Sequence, residues 1–201
     1  MVADECEPPP LKTALERRRS VRRYGDPPPH IQQLSAFLHG SARVREARGT
    51  STRRVYPSGG ASYPLEIYAT IGACDGLQPG VYRYRPAARE LGQIGPLDST
   101  AGRLLDGAAG AMGVDERPQV LISLALRYPR VAWKYEGIAY SLALKEVGAL
   151  FQTMWLVAGT VGLGGCALGV GDNVSFAEAT GRPFYEEEAI GEFALGSLPQ
   201  D

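Results

Sequence analysis

Three cysteines and two histidines are all that this 201-residue chain offers for thiol or imidazole chemistry. Cys6, Cys74 and Cys166 are odd in number, widely separated and outside any C-x-x-C spacing, with only His30 and His39 beside them. That excludes a disulfide framework and a Cys/His zinc site, and free thiols imply a reducing compartment. An excess of one charge is also missing: the formal net charge is −1, so nothing global points to nucleic acid or a membrane surface. The best apolar run, Ala149 to Gly165, is short for a bilayer span and is interrupted by Gln152 and several glycines. The opening MVADECEPPP is acidic and proline-rich, unlike a secretory signal peptide. A cytoplasmic protein is expected, with no metal and no nucleic-acid or membrane partner.

Charge is nevertheless uneven along the chain. Between Lys12 and Arg54 lie eleven of the 21 Lys and Arg residues, against only Glu16, Asp26 and Glu46. An anionic ligand, an acidic partner surface or simple solvation would each explain that excess. Length allows one well-filled core, and no internal repeat or linker divides it. The expected organisation is a disordered lead over residues 1–10 and one domain over residues 11–201.

Patterning predicts an α+β fold. Helices are expected at Leu11 to Arg19, Ile31 to His39, and from an Asp98 cap to Met112, with a small one near Ser175 to Thr180. A long helix from about Ala132 to Val161 is apolar around much of its circumference, so it should be central or lie at a subunit interface. Strands are expected at Glu66 to Gly72, Gln119 to Leu126, Cys166 to Val170 and Glu192 to Leu195. Gly80 to Tyr84 and Glu90 to Ile94 should pair as a hairpin. Ser20 to Tyr24 reads as extended. Ser41 to Arg54, polar and rich in Gly and Arg, reads as a mobile loop.

Four stretches carry residues suited to chemistry. The first, Arg17-Arg18-Arg19-Ser20-Val21-Arg22-Arg23, has guanidinium forks and a hydroxyl of the kind that bind phosphate. Ser20 and Arg22 share one side of an extended strand, and Arg18 can join them from the helix end. A solvated basic helix end, well placed on the helix dipole, accounts for the same residues. The second, Pro57-Ser58-Gly59-Gly60-Ala61, permits positive φ and close backbone approach to a ring or phosphate. It also reads as a turn before a strand.

The third, Gly162-Leu163-Gly164-Gly165-Cys166, follows a helix, whereas the dinucleotide fingerprint should follow a strand. A glycine cap needs one glycine, and the surplus suggests a closely approaching ligand. The fourth is Lys134-Tyr135. Both types titrate near ~10 when free. Burial lowers a lysine and an adjacent ammonium lowers a tyrosine, which would make such a pair useful as a base. An exposed lysine beside a rim tyrosine is the plainer account.

In this order, RRSVRRY, YPSGGASYPLEIY, GLQPGVYRY, WKYEGIAYSLAL and GLGGCALG resemble one family over about Leu11 to Leu198. It is the flavin-dependent azoline oxidases, the SagB-type dehydrogenase branch of the nitroreductase superfamily. The resemblance implies a nitroreductase-like fold, a central mixed or antiparallel sheet flanked by helices, assembled as an intertwined homodimer with FMN at the interface. It assigns Arg18, Arg19, Ser20 and Arg22 to the FMN phosphate and ribityl chain, and Pro57, Ser58, Gly59 and Gly60 to the flavin from the other subunit. Gly164 and Gly165 fall beside the reactive edge of the ring, with Gln152 near the ring. Lys134 and Tyr135 match the catalytic pair.

The implied reaction turns a thiazoline or oxazoline, on a peptide or carrier protein, into the aromatic azole, with oxygen reoxidising the flavin, as part of a biosynthetic complex. An NAD(P)H-dependent nitro- or ene-reductase and a non-catalytic flavin-binding subunit are the alternatives. Two departures stand out. Gly148-Ala149 replaces the family's Gly-His, and the terminal Leu198-Pro199-Gln200-Asp201 lacks a basic residue, which shifts phosphate neutralisation onto the N-terminal arginines.

Overall fold

The computed structural model describes residues 9–48, 51–169 and 171–199. Most of the expected lead therefore lies outside the described residues; Pro10 stands directly before α1 (Leu11–Arg17). Helix α2 (Ile31–Ala42) begins at a capping box formed by His30 and Gln33.

Six strands make one sheet: β3 (Leu65–Ile71), β4 (Gly80–Arg85), β5 (Glu90–Pro96), β6 (Val120–Leu126), β7 (Leu163–Leu168) and β8 (Glu188–Ser197). Their order is β5-β4-β3-β6-β8-β7, and every neighbouring pair is antiparallel. The sheet expected as mixed or antiparallel is thus wholly antiparallel. Strands β3 and β6 are buried at every position, because helices cover both faces. Side chains alternate across a strand, and β6 divides accordingly. Val120, Ile122, Leu124 and Leu126 join the core under α2 and α5 (Ala139–Thr160), while Leu121 and Ala125 join a second core with α3 (Ser99–Met112) and α6 (Asn173–Thr180). Asp98 caps α3 as expected, accepting from the amides of Thr100 and Ala101 at 2.9 Å.

Three expectations need correction. Ser41 to Arg54 is not a loop: α2 runs on to Ala42, and β1 (Val44–Arg48) pairs with β2 (Ser51–Arg54) as an antiparallel ribbon. The ribbon lies outside the main sheet, so no alternating apolar face marked it. The long helix expected from Ala132 is interrupted. Helix α4 (Pro129–Tyr135) ends where Glu136 takes φ +39°, a single 3₁₀ turn (Glu136–Ile138) follows, and α5 then begins. Left-handed backbone at a glutamate, followed by Gly137, breaks the helical path. Finally, the strand expected at Cys166 begins at Leu163, so Gly164 and Gly165 lie inside β7 and only Gly162, at φ +73°, turns the chain.

The segment after α1 is extended, as expected. Ser20 bridges Gly165 in parallel, and the Val21 amide donates to the Gly165 carbonyl at 3.0 Å, laying the segment along β7.

Candidate functional site

Most of the candidate residues gather at two places along α5. At its C-terminal end is a cleft of about 490 Å³ lined by Arg17, Arg18, Arg19, Val21, Trp155, Leu163, Gly164 and Gly165, among others. The Arg18 guanidinium lies 5.1 Å over the Trp155 ring, and the indole N–H donates to the Gly165 carbonyl at 3.0 Å. Stacking on an aromatic face leaves the edges of a guanidinium free to donate. Ser20 and Arg22 do not line this cleft. The glycines have an internal reason: a Cβ on Gly164 would lie 2.8 Å from that of Val21, and one on Gly165 would collide with the ring of Phe193, a fully buried residue. Their lack of side chains is needed by the chain's own packing.

The second place is the turn after β2. Ser58 leads into a short 3₁₀ turn (Gly59–Ala61), with Gly60 at φ +56°, Ala61 at +56° and Tyr63 at +44°. Non-glycine residues avoid that region unless held there. Here they are held: the Tyr63 amide donates to Ser58 Oγ at 2.9 Å, and the Ser58 hydroxyl donates to Glu146 Oε2 at 2.5 Å. Lys134 and Tyr135 close over this turn. A Cβ on Gly60 would lie 2.6 Å from Lys134 Nζ and would strike the Tyr135 hydroxyl. Lys134 is exposed and its Nζ is 5.5 Å from the centre of the Tyr135 ring, which is half-buried. Two stretches that look independent in the sequence therefore form one corner. Gln152 is half-buried on α5 between the corner and the cleft.

Helix α4, which carries the pair, is braced at its start by Glu66 of β3. Arg130 reaches Glu66 Oε1 at 2.7 Å and Arg83 reaches Oε2 at 2.9 Å, with Arg127 at 3.5 Å. Burial pushes the Glu66 carboxyl up, but the Arg83 hydrogen bond and the charges of Arg130, Arg83 and Arg127 outweigh it and hold it below its ordinary value. Arg127 also bonds Glu187, which accepts the Tyr68 hydroxyl. Glu146 is the opposite case: burial pushes it up to about 7 against the Ser58 hydrogen bond, the Arg54 charge and the Gly59 amide.

Three residues of these places escape a reading by residue type. Trp155 passes as one more apolar residue of the long helix. Glu66 passes as part of an alternating strand. Glu146 carries a usable signal: with Leu142 and Leu150 at i−4 and i+4, it is a carboxylate on a buried helix stripe. Among the described residues no group of three or more His, Cys, Asp or Glu side chains is placed to hold a metal, and no helix is long and apolar enough to cross a membrane.

An antiparallel sheet between a long central helix and a smaller helical layer, with an arginine-lined cleft beside the helix, defines a class. Residues 15–197 match the nitroreductase family. The chain belongs to that family, and so to a class of flavin-dependent oxidoreductases. It is 36% identical over 160 residues to "Putative nitroreductase MJ1384" of Methanocaldococcus jannaschii, covering 79% of this chain and 78% of the relative. It is 30% identical over 119 residues to the microcin B17-processing protein McbC of Escherichia coli, covering 56% of this chain and 43% of that protein, less than half its length.

In solved structures the fold is similar to a nitroreductase-type protein from Ralstonia eutropha, with TM-score 0.78, 22% identity, and 98% and 87% of the two chains covered. It is similar to a chain of the Escherichia coli microcin synthetase McbBCD complex with truncated pro-MccB17 bound (TM-score 0.73, 22% identity, 90% and 67% covered). A nitroreductase-type protein in complex with FMN from Desulfovibrio desulfuricans has TM-score 0.61 at 17% identity, with 96% and 88% covered.

Proposed function

We propose that this chain is an FMN-dependent oxidase that converts a thiazoline or oxazoline, carried on a peptide or carrier protein, to the aromatic azole. The observation that carries this reading is the Lys134-Tyr135 pair laid over Gly60, two ionisable side chains brought to one corner. The likeness to McbC and to a chain of a synthetase complex supports a place in a similar assembly.

The cleft fits FMN by its donor set. Arg18 and Arg19 offer guanidinium groups for phosphate, and Trp155 and Leu163 offer an apolar wall for a flat ring. Gly164 and Gly165 add bare backbone to the lining, while Ser20, Arg22 and Gln152 lie outside it and would reach the cofactor only from beside the cleft. Pro57, Ser58, Gly59 and Gly60 meet the flavin from a second copy. About nine residues of α5, roughly 14 Å, separate Glu146 at the corner from Trp155 at the cleft, and a homodimer brings one copy's corner to the other's cleft. The exposed Trp133 (75%), Ile138 (58%) and Leu144 (44%) on and beside α5 support such a contact.

Azoline-to-azole conversion removes two electrons and two protons. FMN, when bound, supplies the two-electron sink, with oxygen as final acceptor. One proton would leave together with the two electrons; the chain's own part is the other, which Tyr135 Oη, acting as phenolate, would receive from the ring carbon with the Lys134 ammonium beside it as counter-charge. General-base catalysis is worth roughly 10²–10⁴-fold. Lys134→Ala with Tyr135→Phe should therefore lower azole formation by about that factor while FMN stays bound. Full turnover by that double variant would refute the assignment. A second reading, an NAD(P)H-dependent nitro- or ene-reductase, is favoured by the 36% identity to the archaeal relative. Fast flavin bleaching by NADPH with reduction of a nitroaromatic would select it; anaerobic bleaching by a thiazoline with azole formation selects the first.

A further inference from the structure

Glu146 is the one carboxylate on the buried face of α5, 5% exposed in a stripe with Ala143, Val147 and Leu150. A charge buried there is costly unless it is fully paired, and Glu146 is not. Oε2 accepts the Ser58 hydroxyl at 2.5 Å and the Gly59 amide hydrogen faces the same carboxyl, but Oε1 is closed off from solvent without a hydrogen-bond partner among the described residues. Arg54, whose charge acts on it, spends its Nη1 on the Tyr56 hydroxyl (3.0 Å) and the Leu65 carbonyl (3.2 Å). What the carboxylate does hold is Ser58 and Gly59, and against the adjoining Gly60 rest Lys134 Nζ and the Tyr135 hydroxyl.

We propose that Glu146 is a positioning residue: its carboxylate clamps the Ser58–Gly60 turn, and the turn sets where the Lys134 ammonium and the Tyr135 hydroxyl sit. This rests on the reading of that pair as catalytic. The clamp changes with protonation. As a carboxylate, Glu146 accepts a charge-assisted bond from Ser58, with the Gly59 amide facing it; once protonated it holds Ser58 as a neutral group, at roughly half the strength.

The groups that face it decide where the change falls. Arg54 of β2 favours the carboxylate, while Tyr56, itself buried and pushed up, stays neutral. Lys134 and Tyr135 of α4 lie across the turn. His39 of α2 and Glu192 of β8, on other elements packed against α5, are shifted by burial together with Arg43 and Arg89, and by burial together with Asp172, respectively. Burial dominates for Glu146, so it is divided between both forms near neutral pH.

The test is a pH titration by amide NMR of the full-length, FMN-supplemented protein, with azole formation measured in parallel on a peptide thiazoline. The Gly59, Gly60 and Tyr135 signals are expected to move together with one midpoint near 7. Glu146→Gln should remove that shared midpoint. Ser58→Ala should leave Gly59 titrating and uncouple Tyr135. In turnover, Glu146→Gln should lose the rising limb and stay near the acid plateau, roughly tenfold below wild type above neutral pH. Its melting temperature above neutral pH should not fall.

Static Gly60 and Tyr135 signals in wild type, or an unchanged midpoint in Glu146→Gln, would overturn the proposal. So would a marked fall in that variant's melting temperature, which would make Glu146 a structural brace. If no protein forms azole while Tyr135 still follows Glu146, the reaction assignment fails and the positioning stands.

Discussion

Two buried glutamates lie on either side of the Lys134-Tyr135 corner, and they are in opposite electrical states. Glu66 is drawn below its ordinary value by three arginines, at 2.7, 2.9 and 3.5 Å. Glu146, about as deeply buried, is answered by a serine hydroxyl and a backbone amide, and rises to about 7. Burial raises both, and the partners decide whether it is overcome: three close guanidinium groups overcome it at Glu66, while a hydroxyl, an amide and the charge of Arg54 do not at Glu146. One acid is committed to holding α4 in place. The other is left able to change its charge.

The most severe way to break that contrast is Glu66→Gln. Removing one side of a buried ion pair leaves Arg83 and Arg130 without the carboxylate they pair with, a loss of the kind that costs about 3–5 kcal/mol, while Arg127 keeps Glu187. Because Arg83, Arg127 and Arg130 are partly exposed, the lower end, about 3 kcal/mol, is expected. The measurement is the urea midpoint, with an unchanged slope showing that the unfolded state is the same. A midpoint equal to wild type would mean that the arginines hold one another's loops without Glu66.

Acid sharpens the same comparison. A carboxyl held low in the folded state contributes stability above its unfolded value of 4.5, and loses it as pH falls through the folded value. The gap between wild type and Glu66→Gln should thus be full at neutral pH and close progressively below about 4.5. A gap that instead closed between neutral pH and 5 would place the dominant titration elsewhere.

The sequence carried the fold further than it carried the site. Strands β3 to β6 and helix α3 were legible because alternation, turn residues and an Asp98 cap are local signals. The β1-β2 ribbon was not, since Arg45 and Glu46 face solvent and nothing apolar alternates with them. At the site, Lys134-Tyr135 and Pro57 to Gly60 each stood out by residue type, but their meeting depends on a turn at Glu136 that residue type does not announce. Gly164 and Gly165 show the converse. A run of glycines suggested a ligand, whereas Val21 and the distant Phe193 fill the space beside them. Only a tertiary contact could reveal that, because packing partners are set by the fold and not by neighbours in the chain.

Glu192 extends the comparison to an acid whose surroundings among the described residues only raise it, and the expected effect is the smallest. It is 3% exposed on β8 with Oε1 unpartnered among the described residues, and burial, with the Asp172 charge added, pushes it up to about 7. Between its unfolded value of 4.5 and that higher one, the native state holds a proton that the unfolded chain has released. Stability must then fall as pH rises across this window. Glu192→Gln removes the titration while keeping the shape, so it should raise the melting temperature by about 2–4 °C above pH 7, near 1 kcal/mol for a chain of this size, and leave it nearly unchanged below the unfolded value of 4.5. The sign is opposite to that of Glu66→Gln. Equal destabilisation by both variants would mean that bulk burial, and not the charge of the partner, sets what these acids do.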